Sequence, residues 1–269
     1  MKRILLYATL VIGSIISVFP YLLVVLTAFK TQTQLHSTQP WLPGNPPTTD
    51  NLAALLGGEF PHYILNTLLM TLALTIGQLV FTTFAAYAFA RLRFRGRDVL
   101  FWVFVATMMV PVAVTVIPLF LIMQKLGLIN TWGGLLVPYI LGTPYGIFLM
   151  RQFFRSLPAG LEEAARIDGA GPLTILVRVL LPLCKPALGT LAIITVISSW
   201  NSFMWPLIIT GGGDETKVIT VALAALKVGI GVDYSRIMAG GLIALVPMVA
   251  IFIFFQRYIV RSVVLTGLK

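Results

Sequence analysis

Six apolar runs, separated by short polar breaks, set the pattern of the chain. They cover residues 4–29, 64–90, 99–123, 132–150, 187–210 and 237–258. Each reaches or approaches the length of about 20 residues that a helix needs to cross a bilayer. The pattern predicts an all-α, polytopic membrane protein with six transmembrane helices, and 269 residues leave no room for a separate soluble domain. One transmembrane domain over 1–269 is the expectation. Met1-Lys2-Arg3 before the first run has the look of a signal peptide, but the run is too long for an h-region and no small-x-small site closes it, so it reads as an uncleaved span. Proline interrupts several runs: Pro20, Pro111, Pro118, Pro138, Pro144 and Pro247. At membrane depth each frees a carbonyl that lipid cannot satisfy, which favours kinked helices around a water-lined path.

Composition supports this class. Hydrophobic residues make up 58% of the chain and charged ones 10%, against about 25% charged in soluble domains. The net charge of +10 invites a nucleic-acid reading until its placement is considered. Assigning the breaks alternately to two sides puts 14 of the 19 basic residues on one side, with Arg91, Arg93, Arg95 and Arg97 in one turn, and leaves the other side neutral. The whole excess is therefore positive-inside bias, which makes both termini cytoplasmic. The single cysteine, Cys184, excludes an intrachain disulfide, and the isolated His36 and His62 offer no metal cluster.

The longest break on the basic side, 157–186, carries a pattern of its own. Leu161, Ala164, Ala165 and Asp168 fall at i, i+3, i+4, i+7, which predicts a short helix with a small-residue face that another surface can approach closely. Glu162 and Arg166 stand at i, i+4 with the acid first. Gly169 and Gly171 then permit a reversal and Pro172 suits the first turn of a second helix. Glu163-Ala164-Ala165, three residues, Gly169, nine residues, Val179, one residue, Leu181-Pro182 is the full spacing. It resembles the cytoplasmic coupling loop of binding-protein-dependent ABC importer permeases, departing from the family pattern by Val179 in place of Ile.

Other stretches resemble the carbohydrate-importer subgroup of that family, in particular the smaller, six-span permease of maltose-type importers. They are the Ala-rich end of the second run with its arginines, Trp200-Asn201-Ser202-Phe203-Met204-Trp205-Pro206, and the basic ending after Gln256. The resemblance implies the type I ABC importer architecture in the prokaryotic cytoplasmic membrane. It implies a second permease subunit, two ATP-binding subunits docking at Glu163, Ala164, Ala165, Asp168 and Gly169, and an extracytoplasmic solute-binding protein. Cofactors are then absent from this chain, with ATP and Mg on the partner subunits.

Two further stretches are candidates for the solute's route. Ser198 to Pro206 gathers hydroxyl, amide and indole groups that are costly to expose to lipid, so Ser198, Trp200, Asn201 and Phe203 are expected to line the pathway. The alternative is that Trp200 and Trp205 are interfacial belt residues. Thr210 to Lys217, with Gly211, Gly212, Gly213 and Asp214, lacks the Gly-Lys-Ser/Thr succession of a phosphate-binding loop. By the resemblance this external loop contacts the solute-binding protein. The segment 30–62, rich in Pro, Thr, Gln and Asn, is a second external surface or a plain connector.

The reading is a non-enzymatic permease that forms half of the path for a sugar or related polyol, with glycerol phosphate or another small solute as the alternative. An ion-coupled secondary transporter needs ionisable residues at membrane depth. Away from Arg257 at the end of the last run, the assigned spans contain no Asp, Glu, Lys, Arg or His. No His–carboxylate cluster supports a membrane enzyme.

Overall fold

The computed structural model describes residues 2–37, 39–211, 213–227 and 232–267, with 254–267 as helical backbone. Among the described residues every regular element is a helix. α1 (Lys2–Ala28) runs unbroken through Pro20. It is followed by the short α2 (Gln32–Ser37) and α3 (Asp50–Leu56), and then by α4 (Phe60–Arg91), a single helix of 32 residues. α5 (Arg97–Ala106) passes through a 3-10 turn at Thr107–Met109 to α6 (Val112–Lys125). α7 (Trp132–Ile140) and α8 (Pro144–Ser156) follow, then α9 (Gly160–Ile167). α10 (Pro172–Thr174) leads into a π-helical stretch, Ile175–Leu180, which continues as α11 (Leu181–Leu183). The last elements are α12 (Lys185–Trp200), α13 (Met204–Ile209), α14 (Ile219–Ala225) and α15 (Tyr234–Gly267).

Four helices in the described residues are long and apolar enough to cross a membrane, and six if each of two bent pairs counts as one. The bends are where the expected spans differ from the structure. The run 99–123 folds back by 104° between α5 and α6: Val110 precedes proline and is driven into extended backbone, and Pro111 is itself extended. A second bend, of 81°, joins Pro172–Leu183 to Lys185–Trp200, so helix extends upstream of the run at 187–210. That run also ends early as regular helix, at Trp200, and resumes at Met204. Pro111 and Pro144 thus sit at breaks, whereas Pro20, Pro118, Pro138 and Pro247 lie inside continuous helices. Within 237–258, the stretch from 254 is described by backbone alone, and Lys269 lies outside the described residues, so the basic tail has no described side chains.

The chain divides into two compact units. The first comprises Met1–Leu65 and Val218–Ile251. Its core joins Ala28, Leu55, Phe60, Tyr63, Ile219, Ala222 and Ala239. Lys30 is fully buried there, and its ammonium is satisfied by the carbonyls of Gln39 at 3.0 Å and Pro40 at 3.3 Å. Asn51 fixes the same corner by donating to the Ala28 and Lys30 carbonyls, at 3.1 and 2.8 Å. The segment after α1 is therefore held in a folded arrangement. Along α1 the apolar side chains from Ile4 to Leu22 are exposed, as a lipid-facing helix requires. The hydroxyls of Thr9, Ser14 and Ser17 bond to carbonyls one turn back in the same helix, so these three groups need no partner from the hydrocarbon.

The second unit comprises Asn66–Lys217 and Phe252–Lys269. Its core brings Ala86 and Tyr87 of α4, Met150 and Phe154 of α8, and Ala187 and Leu191 of α12 around Ile175, Leu176, Leu180 and Cys184. The second arm of the 157–186 segment is thus an internal packing element.

Candidate functional site

The first arm, α9, is built for exposure on one side and anchorage on the other. Glu162 and Glu163 stand in its first turn and Arg166 in its last, each matched to the local end of the helix dipole. The helix closes at Gly169, whose φ of +81° is left-handed. The Gly169 amide donates to Arg166 O at 3.0 Å and the Ala170 amide to Ala165 O at 2.9 Å. These are the paired bonds of a Schellman cap, and such caps join the flanking apolar residues. Ala165 and Ala170 both pack on the core. Gly171 is in ordinary extended backbone (φ −74°), and Pro172 occupies the first turn of α10.

Glu163, Ala164, Asp168 and Gly169 are exposed, and Ile167, at 87%, is the most exposed of the large apolar side chains of the hairpin. Ala165 is half-buried and Glu162 only 4% exposed. The outward face therefore runs Glu163, Ala164, Ile167, Asp168, and the two alanines of the motif point to different sides. The cause is Glu162. Its Oε1 meets Arg91 Nε at 2.9 Å, an ion pair whose side chains are 6% and 12% exposed. Its Oε2 takes the expected i, i+4 contact from Arg166 at 3.3 Å. Arg91 also donates to the carbonyls of Phe154 and, at 2.7 Å, of Leu157. Beside this pair lies a polar cleft of about 580 Å3, lined by Arg91, Arg93, Arg97, Glu162, Glu163 and Arg166 among others. The i, i+4 pair with Arg166 is visible in the sequence, whereas a contact between positions 91 and 162 leaves no local signal.

A second cavity, of about 500 Å3, lies among α4, the start of α6, α7, α8, α12 and α13. Its walls include Gln78, Tyr139, Thr143, Thr195, Ser198 and Phe203, with Ser199, Ser202 and Trp205 also present. No Asp, Glu, Lys, Arg or His occurs among the lining residues described. Gln78 organises it: its amide donates to Tyr139 O at 3.0 Å and its carbonyl accepts from Thr195 Oγ1 at 3.2 Å. Tyr139 is reachable because the helix breaks just beyond it, with Gly142 at φ +103°. A Cβ there would stand 2.6 Å from Thr82 Oγ1. α8 then starts from Thr143, whose hydroxyl accepts from the Gly146 amide at 3.2 Å, with Pro144 at its first position.

Of the four residues expected on a pathway, Ser198 and Phe203 line this cavity. Trp200 is buried and outside the lining, and Asn201 is an exposed helix cap whose amide bonds to Ile197 O at 2.8 Å. Trp205 supplies the indole instead, its Nε1 donating to Gly134 O at 3.0 Å and its ring meeting Tyr139 edge-on at 6.0 Å. Gln78 and Thr195 were missed, although Thr71, Thr75, Gln78 and Thr82 repeat at helical spacing within an apolar run and are all buried.

The loop after α13 is tied down. Gly211 has φ +55° and is exposed, Gly212 lies outside the described residues, and the Gly213 amide bonds to Thr210 O at 2.9 Å. Asp214 pairs with Lys217. Asn66 holds the carbonyls of Glu215 and Lys217 at 2.8 and 3.0 Å, and Thr216 donates to Asn130 at 2.9 Å.

Residues 78–265, which include the hairpin and all the cavity lining except Leu74, match the family described as binding-protein-dependent transport system inner membrane component. The chain belongs to this family. It is 33% identical over 258 residues to the arabinooligosaccharides transport system permease protein AraQ of Halalkalibacterium halodurans, covering 94% of this chain and 92% of that one. To the sn-glycerol-3-phosphate transport system permease protein UgpE of Rhizobium meliloti it is 32% identical over 269 residues, covering 96% and 94%. The crystal structure of a bacterial ABC transporter involved in import of the acidic polysaccharide alginate contains a chain that superposes with a TM-score of 0.84 at 25% identity, over 96% of each chain. This permease is thus a multi-pass inner-membrane transport subunit of an ABC importer, and ATP hydrolysis belongs to separate subunits.

Proposed function

We propose that this permease forms half of the path for a neutral sugar or short sugar oligomer. The observation that carries the reading is the cavity wall, made of hydroxyl, amide and aromatic groups with no charged lining residue described. Such groups exchange hydrogen bonds with sugar hydroxyls and pack against its C–H faces. A phosphate or carboxylate brought to membrane depth needs a compensating charge. A helix N-terminus can supply one, but α8 begins with Pro144, which has no amide proton, and its Gly146 amide is engaged by Thr143.

Membership of the family supports the rest of the assembly. A second permease completes the path, and two ATP-binding subunits, which carry ATP and Mg, dock on Glu163, Ala164, Ile167, Asp168 and Gly169. The position of Ala165 in the core argues for a role in the cap. An extracytoplasmic solute-binding protein meets the loop at Gly211, Gly213 and Asp214. Each bent pair is one span, giving six, with both termini cytoplasmic and 1–269 a single permease domain. Closure of the ATP-binding pair draws the hairpins together and turns the cavity outward.

A glycerol phosphate pathway is the second reading, favoured by the 32% identity to UgpE. Purification in mild detergent from the native host recovers the importer, and its uptake of radiolabelled arabinan oligosaccharide and of sn-glycerol-3-phosphate is then compared in proteoliposomes. Uptake of the oligosaccharide supports the proposal. Uptake of glycerol phosphate alone replaces it with the second reading.

A further inference from the structure

We infer that Arg91 is the positioning residue through which α9 drives the cavity helices, with Glu162 as the link between them. The inference rests on the proposed docking of the ATP-binding subunits to the outward face of α9.

Arg91 is the last residue of α4, and Gln78, which organises the cavity, lies 13 positions earlier in the same unbroken helix, a rise of about 20 Å. The guanidinium also holds the carbonyls of Phe154 and Leu157 at the end of α8, whose opposite end, at Thr143 and Tyr145, lines the cavity. One side chain therefore joins the far ends of both cavity helices. Its remaining contact is Glu162, the charged residue of α9 that faces inward. At 2.9 Å the pair meets off the ideal hydrogen-bonding direction and acts chiefly through charge. Being buried, it is screened little by salt. Tyr87, one turn before Arg91, packs edge-on against Phe154 and backs the junction.

The outward face of α9 can bind a partner without Glu162, since Ile167, Ala164 and Glu163 point away from it. Binding and transmission are thus carried by adjacent residues on opposite sides of one helix. A helix that docks but has lost its inward charge moves without pulling α4 and α8.

The test uses the complete importer, reconstituted with its ATP-binding subunits and binding protein, and reads solute imported per ATP hydrolysed. With Glu162→Gln the ATP-binding subunits co-purify in full and hydrolysis continues, while import per ATP falls about tenfold, a usual size for coupling between sites. Arg91→Lys keeps the charge but not the fork, and it lowers the same ratio to a lesser degree. If Glu162→Gln fails to accumulate, Arg91→Lys decides the matter by that ratio. An unchanged ratio overturns the inference, and so does loss of the ATP-binding subunits from the Glu162→Gln complex, since Glu162 would then be an assembly contact. Ile167→Asp separates the two levels: if it retains the ATP-binding subunits, the docking reading fails independently of the ratio.

Discussion

The α9 hairpin and the cavity hang on the same two helices, α4 and α8, yet opposite chemistry organises them. At the hairpin a carboxylate and two guanidiniums meet within 3.3 Å and helix-end carbonyls complete the set. In the cavity the same role falls to a neutral amide, Gln78, between a carbonyl and a hydroxyl. Charge is usable where water or a partner's polar surface is at hand to stabilise what the pair leaves over. At bilayer depth an imperfectly paired charge costs several kcal/mol, so neutral groups do the joining. The difference also separates two tasks, because ion pairs transmit a pull whereas neutral donors and acceptors can exchange partners with a passing solute.

The largest effect is expected where the comparison is broken at its charged end. Arg91→Ala leaves the buried Glu162 carboxylate with Arg166 alone and strands two helix-end carbonyls. Removing one partner of a buried ion pair costs about 3–5 kcal/mol, and the protein should fall sharply in membrane abundance and melt earlier in detergent. Breaking the neutral end comes next. Thr195→Lys places an ammonium at membrane depth, costing about 3 kcal/mol, and should depress neutral-sugar uptake more than tenfold. Thr195→Ser, which keeps the bond to Gln78, should leave uptake near wild type. Gly169→Val forces a β-branched residue to φ +81°, at about 1–2 kcal/mol. It should impair transport while insertion, followed by immunoblot, persists. The smallest is Thr143→Ala, which removes the cap of α8 for about 1 kcal/mol and should appear as a modest loss of thermal stability with at most a few-fold loss of uptake, since Thr143 lines the cavity.

The membrane class, the hairpin and its glycine turn were legible because each leaves a local mark. Apolar runs of span length, an acid four residues before a base, and glycine where φ is positive are all read within a few positions. What escaped was long-range. The inward turn of Glu162 depends on Arg91, 71 positions earlier, and that contact rotated the exposed face of α9 away from Ala165 toward Ile167. In the cavity wall, Trp200 and Trp205 are equivalent to a pattern of residue types. Only the break after Trp200 and the carbonyl of Gly134 decide that Trp205 faces the cavity. The bend at Pro111 was foreseeable as a kink, but its size, 104°, follows from two successive extended residues that no single proline requires.

Docking of the ATP-binding subunits on the outward face of α9 is the claim on which the rest depends, and the sequence provides a clean way to test it. Cys184 is the one cysteine of the chain and is fully buried, so Ile167→Cys creates a single accessible thiol. Treatment of the assembled importer with a short thiol-directed crosslinker should join Ile167→Cys to an ATP-binding subunit, with the yield changing when ATP is added. Crosslinking of the same thiol to the solute-binding protein, or to no subunit in a complex that imports sugar normally, would contradict the account.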